Sequence, residues 1–352
     1  MPFGIYVHVP FCLARCHYCA FATWDDRPHL LDPYADALVQ DVRQAVKGGL
    51  RAASSVFFGG GTPSLLSADQ LGAVIAALPL DPSAEVTIEC NPDTVDEALL
   101  AGYRRVGVTR ISLGVQSMVP HVLVALGRTH DPANVARAVA AIGAAGFESW
   151  NMDLIYGAVG ESLDDWVETL GAALALDPPH VSAYGLTVEA GTPLAADPAR
   201  HPDDDDEADK YLLAESAFVG AGLAAYEVSN WARPGHECRH NALYWGQGDY
   251  RGFGCAAHSH EGGRRWWNVR TPERYLGLVA AGASTEAAAE VLDLEDRRIE
   301  GLQLALRTRD GVPEAAVPDD DDLAGLVRRS DGRATLTLEG RLLANEVAVR
   351  LR

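Results

Sequence analysis

Cys12, Cys16 and Cys19 fall within eight residues of one another near the start of the chain. Thiolates this close together can converge on one soft metal centre. A structural zinc site needs four ligands, normally as two separated pairs, and here the nearby candidates for a fourth are only His8 and His17. An iron–sulfur cube held by three cysteines is the other metal reading, and inert buried thiols are the reading without metal. A cube held in that way leaves one iron without a protein ligand, and an open coordination position is where chemistry takes place. Six cysteines in 352 residues do not make a disulfide scaffold, and a tight trio in a reducing compartment points to metal or redox chemistry.

Composition narrows the partners. The chain carries 49 acidic and 29 basic residues, a net charge of −20, which repels phosphate backbones and anionic lipid surfaces. No nucleic acid and at most peripheral membrane contact are expected. No apolar run reaches the roughly 18 residues that a membrane span requires. Met1 to Pro10 lacks the basic start and apolar stretch of an export signal, so a cytoplasmic location is expected. The runs Asp203–Asp206 and Asp319–Asp322 read as solvated loop charge without calcium-loop spacing.

The elements that must position the cysteines follow from periodicity. Gly4–Val9 alternates like a strand and runs directly into Cys12. Asp32-Pro33 opens a helix with Asp as cap, whose Tyr34, Leu38, Val42 and Val46 form a buried face. Further strands are expected at Ser55–Phe58, Glu85–Glu89, Arg110–Val115, Ser149–Ile155 and His180–Leu186, with a weaker seventh at Ala224–Val228. Helices alternate with them, opened by Ser67–Gln70 and Ser162–Asp165 and by Thr94-Val-Asp-Glu97, with others at Pro132–Ala145 and Glu207–Val219. Six strand–helix units imply a parallel sheet with helical crossovers and fall short of the eight of a closed barrel, so the fold class is α/β, an incomplete (β/α)6 barrel. Residues 1–229 form it. Residues 230–271, dense in Gly, Trp, His and Arg, read as a long functional connecting segment. Residues 272–352 read as a small α-rich C-terminal domain, helical from Pro272 and over Thr285–Leu306, with a strand at Ala334–Leu338 and a helix at Leu342–Leu351.

In a parallel β/α sheet, ligands sit beyond the carboxyl ends of the strands. Cys12 follows the first strand and Gly59-Gly60-Gly61-Thr62-Pro63 the second; Glu89 ends the third, Gln116 follows the fourth, and Asp153 and Tyr184 lie late in the fifth and sixth. Six strands thus deliver polar groups or glycine to one rim, where chance would scatter them over both ends.

The string Tyr6-Val-His-Val-Pro-Phe-Cys12-x3-Cys16-x2-Cys19 resembles the signature of the radical S-adenosylmethionine (SAM) superfamily. That resemblance implies a radical SAM barrel, a [4Fe-4S] cluster on the three cysteines, and SAM chelating the open iron. It implies that Gly60, Gly61 and Thr62 grip the methionine part of SAM. Glu89, Gln116, Arg128 and Asp153 match motifs that contact SAM, and Tyr6 and Tyr18 pack near the cluster. The chemistry suits them: carboxylates and amides take hydroxyls and amines, and a guanidinium forks to a carboxylate. Two departures stand out, Gly157-Ala158-Val159 for a usual Gly-Leu-Pro and Cys255-Ala256 within a usual Gly-Pro-Gly-Ala pattern. They are expected to loosen the rim, with Cys255 a small apolar substitute or a reactive thiol.

Within the superfamily the flank is similar to the HemN/HemW branch, which holds oxygen-independent coproporphyrinogen III oxidases and heme chaperones. Cys19 is followed by Ala20-Phe21 rather than a further Cys, and the first strand starts at about Gly4 without an extension, both of which fit the chaperone side. The resemblance then implies heme as a third ligand, heme-accepting respiratory proteins as recipients, and a reductant such as flavodoxin or ferredoxin. His240, in His-Asn-Ala-Leu-Tyr-Trp, is the candidate heme contact, with His258 and His260 as rivals and Arg233, Arg239 and Arg251 as candidate propionate partners. Radical oxidation of coproporphyrinogen III is the alternative function. A nucleic-acid modifier is a third, against which the net acidity argues.

Overall fold

The computed structural model describes residues 2–352. Runs of apolar β-formers bounded by glycine become strands buried on both faces, and the amphipathic stretches between them become crossover helices. In chain order these are β1 (Phe3–Val9), α1 (Leu31–Lys47), β2 (Ala53–Gly60), α2 (Ala68–Ala77), β3 (Leu80–Cys90), α3 (Glu97–Arg105), β4 (Arg110–Gln116), α4 (Pro120–Leu126), α5 (Pro132–Ala144), β5 (Ser149–Tyr156), α6 (Leu163–Leu174), β6 (His180–Gly185) and α7 (Asp204–Gly220). β1 to β6 pair in parallel in sequence order. Ile5, Val56, Ile88, Ile111, Met152 and Val181 point to the helices and share one core with Leu38, Leu71, Leu100, Val135 and Trp166.

The capping boxes at Ser67/Gln70 and Ser162/Asp165 form as expected. Other helix starts differ. α1 begins at Leu31, so Asp32 lies in its first turn and accepts a hydrogen bond from Gln70 Nε2 (2.7 Å) instead of capping. Asp96, not Thr94, caps α3. The buried face of α1 ends at Val42, and Val46 is 39% exposed. Asp203–Asp206 is not loop charge. Asp203 caps α7, and the acids after it sit where the helix dipole favours them.

The largest correction concerns the segment expected as a connecting loop. The expected seventh strand forms just before it as β7 (Ala224–Glu227), and the segment itself holds β8 (Asn230–Ala232), α8 (Arg239–Trp245), β9 (Asp249–Phe253), β10 (His258–Glu261) and β11 (Arg264–Asn268), followed by α9 (Pro272–Ala280), β12 (Glu286–Val291) and α10 (Leu294–Ala305). β9 returns to pair in parallel with β1, and β10 to β12 continue antiparallel. At the other edge β8 pairs antiparallel with β6 and carries β7 outermost. The result is an open 12-stranded sheet ordered β12-β11-β10-β9-β1-β2-β3-β4-β5-β6-β8-β7. Glu286–Val291, within the stretch Thr285–Leu306 expected to be helical, is strand because pairing with β11 overrides propensity.

A second, smaller core gathers Leu306, Val312, Val317, Leu323, Ala334, Val347 and Leu351. It lies under β13 (Val312–Pro313), β14 (Val327–Ser330) and β15 (Arg333–Leu336), with α11 (Leu338–Leu342) and α12 (Ala344–Ala348) in place of the single helix expected at Leu342–Leu351. Tyr275 and Val279 of α9 pack in the first core. A bidentate pair from Arg341 to Glu215 (2.9 and 2.8 Å) ties α11 to α7. Among the described residues no helix is long and apolar enough to cross a membrane.

Candidate functional site

The concave side of β1–β6 encloses a cavity of about 580 Å³. Cys12, Cys16, Cys19, Tyr6, Tyr18, Gly60, Gly61, Thr62, Glu89, Gln116, Arg128, Asp153 and His240 all border it. Most of these residues come together because they lie at, or just past, the carboxyl end of a strand, or on a side chain alternating toward the concave face; Arg128 comes from the turn after α4 and His240 from α8.

The cysteine loop leaves the sheet and returns at one point. Cys12 N–H donates to Trp24 O (3.0 Å) and Trp24 N–H to Pro10 O (2.8 Å). Its middle is held from both sides: His17 N–H donates to Leu126 O (3.1 Å), Leu194 N–H donates to His17 O (3.1 Å), and Arg200 Nη2 donates to His17 Nδ1 (3.1 Å). His8 is engaged at both nitrogens, with the Tyr6 hydroxyl (3.0 Å) and Ala22 O (2.9 Å). His8 therefore has no free ring nitrogen to serve as a fourth zinc ligand. Among the described residues no three His, Cys, Asp or Glu are spaced to hold a single metal ion. A cube suits the three unpaired, half-buried thiols better, since it spreads its ligands over separate irons. Burial pushes the Cys12 thiol up to about 11, so metal binding must displace its proton.

The glycine run is a packing requirement. Gly61 N–H donates to Val9 O (2.8 Å) and Thr62 N–H to Phe11 O (2.7 Å), which seats the end of β2 against β1 and the cysteine loop. Gly60 has φ +112°, and a Cβ there would lie 2.4 Å from the His8 ring. Gly60 N–H donates to Glu89 Oε2 (3.0 Å). Burial, and secondarily the charge of Asp153, pushes the Glu89 carboxyl up to about 8. Asp153 is also raised by burial, which outweighs hydrogen bonds from Ser112 Oγ (2.7 Å) and Asn151 Nδ2 (2.9 Å). Two carboxyls thus share a low-dielectric wall, and a bound cation would favour ionising both. Gln116 sits at a bulge, where the β4–β5 register shifts, with φ +67°. Backbone strain therefore coincides with a cavity residue. Arg128 donates through Nη2 to Gly114 O (2.8 Å) and through Nη1 to Cys16 Sγ (3.5 Å).

Several lining groups escaped the sequence reading. Ser112, Asn151 and Ser182 form a hydrogen-bonded layer beneath Asp153, with Asn151 Nδ2 donating to Ser112 Oγ (3.0 Å) and Ser182 Oγ (3.4 Å). The available signal was polar residues at two-residue spacing within otherwise apolar parallel strands. Phe57, Asn230, Asn241 and Tyr244 complete the deeper wall.

Gly157-Ala158-Val159 lies beside the cavity, outside its lining, and its first residue is tied down. Gly157 N–H donates to Glu161 Oε2 (2.7 Å), and Glu161 pairs with Lys210 (3.1 Å), which also meets Asp206 (2.6 Å). Lys210 is fully buried, so a buried ion group holds the loop that a proline would have stiffened. Cys255 does not border the cavity. It is buried, its N–H donates to the Tyr34 hydroxyl (2.8 Å), and burial pushes its thiol up to about 12, which fits the apolar substitute.

His240, on α8, forms part of the cavity floor and is 1% exposed. Its Nδ1 meets Ser55 Oγ (3.0 Å) and its Nε2 the Tyr244 hydroxyl (2.9 Å). Burial pushes its pKa down to about 3, so the ring is neutral. The arginines expected at propionates lie elsewhere. Arg233 pairs with Asp177, Arg239 with Ser83 O and Glu85, and Arg251 stacks over Trp266, none of them bordering the cavity.

Residues 6–173 match the radical SAM superfamily. The chain is 41% identical to the heme chaperone HemW of Mycobacterium tuberculosis (strain ATCC 25618 / H37Rv), over 98% of this chain and 94% of that protein. It is 41% identical to the heme chaperone HemW of Escherichia coli (strain K12), over 73% and 70%, and 32% identical to that of Bacillus subtilis (strain 168), over 97% of both. Among solved structures it resembles the coproporphyrinogen III oxidase HemN from Escherichia coli, with a TM-score of 0.85 at 23% identity over 99% of this chain and 89% of that one, a likeness of fold. With its cysteine loop, strand-end residues and relatives in agreement, the chain belongs to the heme chaperone HemW family of the radical SAM superfamily.

Proposed function

We propose that this chain holds a [4Fe-4S] cluster on Cys12, Cys16 and Cys19, takes SAM at the open iron, and binds heme for delivery to respiratory heme proteins in the cytoplasm. The observation that carries the reading is the placing of three unpaired thiols on a cavity bordered by the other expected SAM contacts. A reduced cluster with bound SAM supplies one-electron cleavage of the sulfonium in this superfamily, and a flavodoxin or ferredoxin is the proposed source of the electron. The chain's own residues bind and orient. Gly60 to Thr62 and Glu89 would hold the amino group, Arg128 the carboxylate, and Gln116 and Asp153 the ribose, while Tyr6 and Tyr18 would exclude water.

Residues 1–229 supply these contacts, and residues 230–271 supply the heme contact, His240. A neutral imidazole is the form that ligates iron, and His240 Nε2, bonded to the Tyr244 hydroxyl here, would hold it once that bond is given up. The relatives named heme chaperones support heme as a ligand.

Anaerobic reconstitution tests both halves on one sample. Iron and labile sulfide in equal amounts and a Soret band on heme titration are expected. Cys12→Ser loses the iron and keeps the heme, and His240→Ala does the reverse. Zinc or no metal in the cysteine loop sinks the cluster. Porphyrinogen consumption without heme uptake puts the oxidase function in its place.

A further inference from the structure

The three cysteine sulfurs have unequal surroundings. Cys19 Sγ meets the neutral Thr23 hydroxyl at 3.9 Å. Cys16 Sγ accepts a hydrogen bond from the guanidinium of Arg128 at 3.5 Å. Donor and acceptor are mounted on the same support. Arg128 follows α4, where its backbone N–H donates to Leu123 O (2.9 Å), and Leu126 O of the same helix end receives the N–H of His17, next to Cys16. Gly127 makes this turn possible with φ +74°, and a Cβ there would lie 2.9 Å from the His17 ring. The guanidinium plane is fixed by its second bond, from Nη2 to Gly114 O at 2.8 Å.

We infer that Arg128 sets the reduction potential of the cluster through its N–H···S bond to Cys16, a role separate from any contact with SAM. The inference rests on the cluster reading above. An N–H donor draws charge from a thiolate sulfur, and a fixed cation attracts the electron that reduction adds; both favour the reduced cluster. The effect is strong where the pair is shielded from water. Arginine keeps its proton at any working pH, so the bias does not titrate. Lysine cannot replace it fully, since one ammonium does not reproduce a planar fork spanning a sulfur and a carbonyl oxygen.

The experiment is an EPR-monitored redox titration of reconstituted protein without SAM, comparing the parent with Arg128→Lys and Arg128→Gln, with iron and sulfide measured on each sample. Both variants shift the midpoint to more negative potential, Arg128→Gln furthest because it loses the charge as well as the bond. Full clusters with an unchanged midpoint in both overturn the inference and leave the proposed function standing. A parent that takes up no iron and sulfide sinks the cluster reading itself. Where a variant fails to hold its cluster, the Fe–S(Cys) stretching bands of the parent decide. They shift between H2O and D2O if the bond exists, and identical bands in the two solvents overturn it.

Discussion

On the concave wall of the six parallel strands, Glu89, Ser112, Asn151, Asp153 and Ser182 lie side by side, largely out of water. In the core of residues 306–351 the fully buried side chains are aliphatic, and among the described residues no polar side chain is buried there. The first region bears the cost of desolvating polar groups, offset by their mutual hydrogen bonds, because those groups face a cavity. The second region buries only what gains by leaving water. The contrast separates a surface arranged for a ligand from one arranged to hold itself together.

Removing Lys210 puts the sharpest strain on this contrast. Lys210→Met leaves Glu161 and Asp206 without their cation, and breaking one side of a buried pair costs about 3–5 kcal/mol. Urea unfolding should show that loss, together with weaker SAM binding as the Gly157 loop comes free. Unchanged stability would mean that the ion group does not hold the rim.

Leu306→Ala, at a fully buried position, is expected to cost about 2–5 kcal/mol. Iron, sulfide and SAM binding of the folded protein should stay at parent levels. A lost cluster in that variant would show that the two regions are not functionally separate.

The smallest effect is a dependence on pH. The folded-state pKa of Glu89, about 8, lies above the ordinary 4.5, so the native protein holds a proton that the unfolded chain releases. Stability from this group is complete below about pH 4.5 and is lost as pH rises toward about 8, with a slope of order 1 kcal/mol per pH unit. Glu89→Gln should remove that slope in the cluster-free protein. Parallel pH profiles for parent and variant would place the proton elsewhere.

Much of the fold was legible in sequence wherever local order encodes it. β1 to β6 showed as apolar runs ended by glycine or a polar residue, and the capping boxes as short motifs. β8 to β12 were not legible. Their three to six residues mix aromatic, cationic and small side chains, and β9 finds its partner in β1, far from it along the chain. The layer of Ser112, Asn151 and Ser182 was visible as residues, but its cross-strand bonds depend on register.

The sequence by itself determined the trio of cysteines, their place after the first strand and the order of polar residues at the strand ends, because spacing along a chain and the alternation of a strand are local properties. The tertiary structure alone decided that both nitrogens of His240 are engaged, that Arg128 reaches Cys16, that Cys255 is buried, and that a buried Lys210 pairs with the Glu161 that holds Gly157. These are contacts between segments far apart in the chain. Such contacts are set by which strand lies beside which and how far each side chain reaches, quantities that no local pattern contains.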